Sequence, residues 1–265
     1  MTPEDGFESS QYLVAWSNEQ LTELEAICAE FEQSNPTTMF EEFNQKTGRK
    51  EFKVKIAPLP HRVRGLTNNI IKDLRDALDQ ATNAASFYVS GTYRRNRHFP
   101  FASSPDDFDV AVRKNTCKDI PTSLHSILKG YEPYPTGDGY SGGNNFLRML
   151  GRISGPHKHR FTVITKVTKD DVKIGDLLGR PGEKFLTGGP IWFPANNNPN
   201  EITLVSIHPT GEVDFDYEVT MRITFAGSKM EGIPVKEFLR ACYLSVSEIV
   251  QDLQSQALAM GPPGA

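Results

Sequence analysis

The sequence predicts an α+β protein in which a helical core packs with a small antiparallel sheet. Two long stretches, about 63–85 and 232–253, repeat apolar residues at helical spacing, and several short stretches between them alternate at period two. Hydrophobic residues make up 38% of the 265, enough for a real core. No repeat and no linker composition interrupts the chain, so 1–265 reads as a single domain with disordered tails at 1–16 and 258–265.

Taken in order, Ser17 followed by Gln20 reads as a capping box opening a first helix over about 18–33, carried by Leu21, Leu24, Ile27, Cys28 and Phe31. A polar link containing Asn35-Pro36 follows. In "EFKVKIA", Phe52, Val54 and Ile56 alternate with Lys53 and Lys55, the pattern of a half-buried strand stopped by Pro58 and Pro60. In the next helix Ile70, Ile71, Leu74, Ala77, Leu78 and Ala81 fall within an arc of about 120°, opposite a wet arc of Lys72, Asp73, Arg75, Asp76, Asp79 and Gln80. Asp79 lies one turn from Arg75 as an ion-pair partner, so a solvated charge ladder is the plain reading of this face.

Residues 86–145 read as irregular, ending in a glycine-rich loop expected to be long, exposed and mobile. A short helix at 145–153 precedes "HKHRFTVITKV", read as a strand, and "EITLVSIH" and "EVTMRITFAG" add two more. Gly232 and Pro234 open the last helix.

Formal charge of −4 and pI near 5.9 exclude a global basic field, so nucleic-acid binding requires a local patch. Cys28, Cys117 and Cys242 have neither zinc-ligand nor disulfide spacing, which fits a reducing cytoplasm. Cys28 and Cys242 fall on apolar stripes and read as inert, while Cys117 lies in a polar loop beside Lys114 and Lys118. The polar N-terminus is no secretory signal and no apolar run approaches a membrane span, so a cytoplasmic protein without membrane contact is expected.

Four stretches, "LRDALDQ" (74–80), "HFPFASSPDDF" (98–108), "YEPY" (131–134) and "HKHRF" (157–161), together resemble a family of uncharacterised bacterial proteins. That family carries LRxALDH, FPF, QPY-like and DKHR-like motifs in the same order, and the likeness covers about residues 40–255. Its Arg-x4-His helix is in turn similar to the HEPN nucleases, helical proteins that cleave RNA without metal, usually with motifs from two protomers. The resemblance implies a HEPN-like core, no cofactor, RNA as partner, a homo-oligomer, and RNA processing or defence as function. In such chemistry an arginine stabilises the phosphorane while a histidine moves the proton of the attacking 2′-hydroxyl. Here Arg75 and Asp76 match the motif, but Gln80 replaces the histidine, and an amide takes no proton at useful pH. His159 is the first substitute and His98 the second. Lys158, Arg160, Arg148 and His98 are the candidate phosphate contacts.

Three rival readings come from other classes. Asp107 and Asp109, after Ser90-Gly91 and with Asp214 or Asp216 as third ligand, would on a strand make a magnesium-dependent nucleotidyltransferase site. His157 and His159, two apart on a strand, would share a metal. A non-enzymatic dimeric binding or regulatory protein, assembled through the first and last helices, needs neither.

Overall fold

The computed structural model describes residues 3–114, 116–154, 164–174, 178–179, 201–210, 213–227 and 230–263. They form an α+β protein whose elements run α1 (Pro3–Gln33), β1 (Thr37–Asn44), β2 (Arg49–Ile56), α2 (His61–Ser90), α3 (Pro105–Lys114), α4 (His125–Gly130), α5 (Asn145–Ile153), β3 (Ile164–Ile174), β4 (Leu178–Gly179), β5 (Glu201–Ile207), β6 (Val213–Asp214), β7 (Tyr217–Ala226) and α6 (Val235–Met260). Contacts divide the chain into two compact units, Met1–Glu25 with Arg64–Ile164 and Ile233–Ala265, and Ala26–Val63 with Thr165–Gly232. The boundaries at 25 and 63 fall inside α1 and α2, so no loop-like linker marks them in the sequence. No helix among the described residues is long and apolar enough to cross a membrane.

The helical unit is built on three long helices. Gly6 approaches Ala84, and Gln20 Nε2 donates to Asp73 Oδ2 at 2.8 Å, so α1 runs antiparallel to α2. Gln11 Nε2 donates to Gln254 Oε1 at 2.5 Å, and Arg240 Nη2 reaches both Glu25 carboxylate oxygens at 2.7 and 2.8 Å, so α1 is antiparallel to α6 as well. Leu66, Ile70, Ile71, Leu74, Ala77, Leu78 and Ala81 of α2 are buried, and so is the α6 stripe from Val235 to Leu253. Each fully buried leucine or isoleucine contributes about 2 kcal/mol of hydrophobic stabilisation.

The first helix starts at Pro3, not near 18, so the expected disordered stretch before 17 is helical from residue 3. Its stripe recurs every seven residues, Phe7, Val14, Leu21 and Cys28, with Ser10, Ser17, Leu24 and Phe31 between them, and all eight are buried. Ser17 therefore sits mid-helix, its Oγ buried without a partner, and is no cap. At the other end α6 continues to Met260, past the expected limit at 258.

In the second unit β1, β2 and β5 form an antiparallel sheet in that order, with Phe40 opposite Lys53 and a register shift between Phe52 and Lys53 against β5. Phe52, Val54 and Ile56 bury the predicted face of β2 against Ile202, Leu204 and Phe215, and the Phe52 and Phe215 rings meet edge to face at 5.6 Å. The 37–44 segment, read as a polar link, is the edge strand β1, and its exposed residues hide any period-two signal. The pairs β3 with β7 and β4 with β6 complete the described sheets. Of the expected strand at 157–167, residues 157–163 lie outside the described residues and β3 begins at Ile164.

Candidate functional site

Within the helical unit the polar arc of α2 is not an open wet face. Its Asp73 edge meets α1 through Gln20. Helical spacing places Asp73, Ala77, Gln80 and Ala84 in one stripe about 60° wide, the stripe that faces α1, with Gln80 about 140° from Arg75. Consistent with this, Gln80 Oε1 is buried and has no hydrogen-bond partner. Gln80 thus does not join Arg75 in a shared site. Asp76 pairs with Lys72 one turn back, at 3.2 Å on the surface.

The Arg75 side of the arc is covered by the segment after α2. Arg75 Nε donates to Asp79 Oδ2 at 3.1 Å, as the i,i+4 spacing predicts, and its guanidinium lies over the Phe101 ring with 4.2 Å to the centroid. The other Asp79 oxygen accepts the Phe99 backbone N–H at 2.8 Å, and His98 Nδ1 lies 3.7 Å from Oδ2. One carboxylate therefore holds an arginine and a backbone amide and faces a histidine. Burial pushes the Asp79 carboxyl up, but His98, Arg75 and the Phe99 amide outweigh it, and its pKa ends below the usual carboxylate value. Both Nη groups of Arg75 are without an acceptor among the described residues, and its side chain is 19% exposed. His98 is 56% exposed, with Nε2 on the ring edge away from the carboxylate-facing nitrogen.

The segment that carries His98 and Phe101 is itself fastened. Arg97, 3% exposed, donates from Nε to the Asp119 carbonyl at 2.9 Å, from Nη1 to the Thr92 carbonyl at 2.6 Å and from Nη2 to Ser90 Oγ at 2.9 Å. Asn96 Nδ2 adds a bond to Asp119 Oδ2 at 3.0 Å. Phe99 and Phe101 pack edge to face at 4.9 Å. Beneath Phe101 lies Gly151 of α5, where an added Cβ would sit 2.4 Å from the ring. Gly151→Ala should therefore push Phe101 off its seat and cost about 1–3 kcal/mol, read as a lower denaturant midpoint. Overpacking at this spot also displaces the ring that supports the Arg75 guanidinium. On the same helix Arg148 Nη2 donates to Ser103 Oγ at 3.1 Å, and burial followed by neighbouring Arg152 pushes its pKa down, with Asp107 opposing.

No family model matches the chain, and no curated protein or solved structure matches it either.

His159, Lys158, Arg160 and His157 lie outside the described residues. Asp107 and Asp109 lie on a helix, not a strand, because Ser104 Oγ accepts the Asp107 N–H at 3.1 Å as an N-cap and Pro105 opens the first turn. Two apart on a helix they point about 160° from each other, and Asp109 is taken by Lys129 at 2.9 and 3.0 Å, so they do not share a cation. Asp214 belongs to β6 and Asp216 is exposed in the second unit. Among the described residues no three His, Cys, Asp or Glu side chains converge at metal-ligand spacing. Cys117 is buried, and burial, opposed by Thr116, pushes its thiol up, away from a reactive thiolate.

The glycine-rich loop is pinned instead of loose. Glu132 Oε2 accepts the Gly143 N–H at 2.8 Å, Tyr140 Oη donates to the Pro135 carbonyl at 2.7 Å, and the Tyr134 and Tyr140 rings meet edge to face at 5.7 Å. Gly143 has φ 110° and a Cβ there would lie 2.5 Å from the Pro135 carbonyl, so only glycine fits. Sequence reasoning did not single out Asp79 and Phe101 as site residues. Their signal was the i,i+4 acid after Arg75 and the phenylalanine flanking Pro100.

Proposed function

We propose that the Arg75, Asp79 and His98 cluster binds the phosphodiester backbone of RNA and cleaves it without a metal ion. The observation that carries this reading is the state of Arg75. Its Nε is held by Asp79 and its face is stacked on Phe101, so the two Nη groups are pre-oriented donors with no acceptor among the described residues, suited to paired phosphate oxygens. A histidine shares the same carboxylate, which supplies the proton carrier that Gln80 cannot be. In the reaction His98 takes the 2′-hydroxyl proton, the 2′-oxygen bonds to phosphorus, the P–O5′ bond breaks, and solvent protonates the 5′-oxygen. Arg75 offsets the charge gathering on the non-bridging oxygens. A homo-oligomer would bring two such clusters together, as the HEPN resemblance implies. Phosphate binding without cleavage is the second reading, favoured by the position of Gln80 on the stripe facing α1.

The test is incubation of a mixed single-stranded and structured RNA pool with wild type, Arg75→Ala, His98→Ala and His159→Ala, in EDTA and again with Mg²⁺. Cleavage in EDTA that leaves 2′,3′-cyclic phosphate ends, and is lost in Arg75→Ala and His98→Ala, is the expected result. Binding lost in Arg75→Ala without cleavage by any form would leave the binding reading. Neither cleavage nor binding by wild type would retire both.

A further inference from the structure

Between Asp79 and Asp106 the chain contains no carboxylate, yet it carries Arg94, Arg95, Arg97 and His98. In space Asp79 faces His98 and Asp119 lies beside Asn96 and Arg97, which leaves Arg94 and Arg95 as the cations of the stretch with no acid against them among the described residues. Three of its residues, Tyr93, Arg94 and Arg95, are exposed in a row, Tyr93 at 71%. None of their side chains has a hydrogen-bond or ion-pair partner among the described residues. The backbone beneath them is held at both ends. On one side Gly91, with φ 64°, closes α2, and Ser90 Oγ accepts the Thr92 N–H at 3.3 Å. On the other, buried Arg97 ties the Thr92 and Asp119 carbonyls together. A tyrosine on a tethered backbone presents its ring to solvent with less chain entropy to lose on binding than one on a loose tail.

We infer that Tyr93, Arg94 and Arg95 form a track for single-stranded RNA that leads to His98 and Arg75, with Tyr93 stacking a base and the two arginines contacting phosphates. This rests on the reading of Arg75 and His98 as an RNA site and adds the substrate class. An unpaired base offers a face for stacking, whereas a duplex hides it. The arrangement thus selects unpaired RNA by stacking and leaves base identity unread.

Fluorescence anisotropy of labelled single-stranded RNA, and of the same sequence as a duplex, tests the track across a salt series. The proteins are wild type, Tyr93→Ala, Arg94→Ala/Arg95→Ala and Arg75→Ala, each checked for an unchanged melting temperature. Wild type should favour the single strand, and Tyr93→Ala should weaken that binding about five- to tenfold while leaving the duplex unaffected. The double arginine variant should lower the slope of log affinity against log salt by roughly 1.4. If Arg75→Ala weakens binding while the track variants stay within twofold of wild type, the track is overturned and the site reading stands. If no variant changes binding, both fall.

Discussion

Arg97→Ala should lower stability by about 3 kcal/mol or more, the largest loss expected from one substitution in the helical unit. Three donors of one buried guanidinium satisfy two carbonyls and a hydroxyl that belong to three different stretches, the end of α2, the turn at Thr92 and the segment at Asp119. Burial pushes its pKa down, with Asp119 opposing, but arginine keeps its charge across the working range. Alanine removes the donors, takes from the Asp119 carbonyl its bond to Nε and opens a cavity, and these costs act together. Arg97→Lys should rescue little, because one ammonium on a flexible stem does not span three separated acceptors. Urea unfolding at neutral pH with the slope unchanged would measure it. A loss under about 1 kcal/mol in Arg97→Ala would mean that the segment holds its place without the clamp.

The elements legible in the sequence were those whose periodicity rests on large apolar residues. The α2 arc, the β2 alternation and the α6 stripe fall where Leu, Ile, Val and Phe mark them. The N-terminal half of α1 escaped because its seven-residue stripe uses Ser10 and Ser17 at alternate positions, small residues that fit a close helix approach at Gly6 but carry no hydrophobic signal. Edge strand β1 escaped because exposure on both faces removes alternation. At the site, Arg75 and its i,i+4 acid were legible. What covers them was not, since the Phe99 amide reaches Asp79 from twenty residues away and Gly151 seats Phe101 from fifty. Helical angles alone separated Gln80 from Arg75, but only the Gly6 approach to Ala84 and the Gln20 bond to Asp73 identify what the Gln80 stripe faces.

Asp79→Asn should separate chemistry from folding at the same site. The amide retains one acceptor oxygen but loses the charge that pairs Arg75 and faces His98 Nδ1, and its NH2 presents a donor where an acceptor is required. Loss of the carboxylate that orients a catalytic imidazole lowers turnover by several orders of magnitude in hydrolytic triads, so kcat of the proposed RNA cleavage should fall about 100-fold or more. The Kd for RNA should move far less, because Arg75 still stacks on Phe101. A purely structural role would instead reduce activity in step with the folded fraction, and cooling or a stabilising co-solvent would restore it. Acid titration supplies a second, independent readout. The native carboxyl is held below the ordinary 3.8, so its stabilising contribution is full above that value and is lost as pH falls through the lower native value. The stability gap between wild type and Asp79→Asn should therefore be present at about pH 5 and shrink below about 4. A gap unchanged down to pH 2 would show that Asp79 holds neither Arg75 nor the Phe99 amide through its charge, and the proposed orientation of His98 would fail with it.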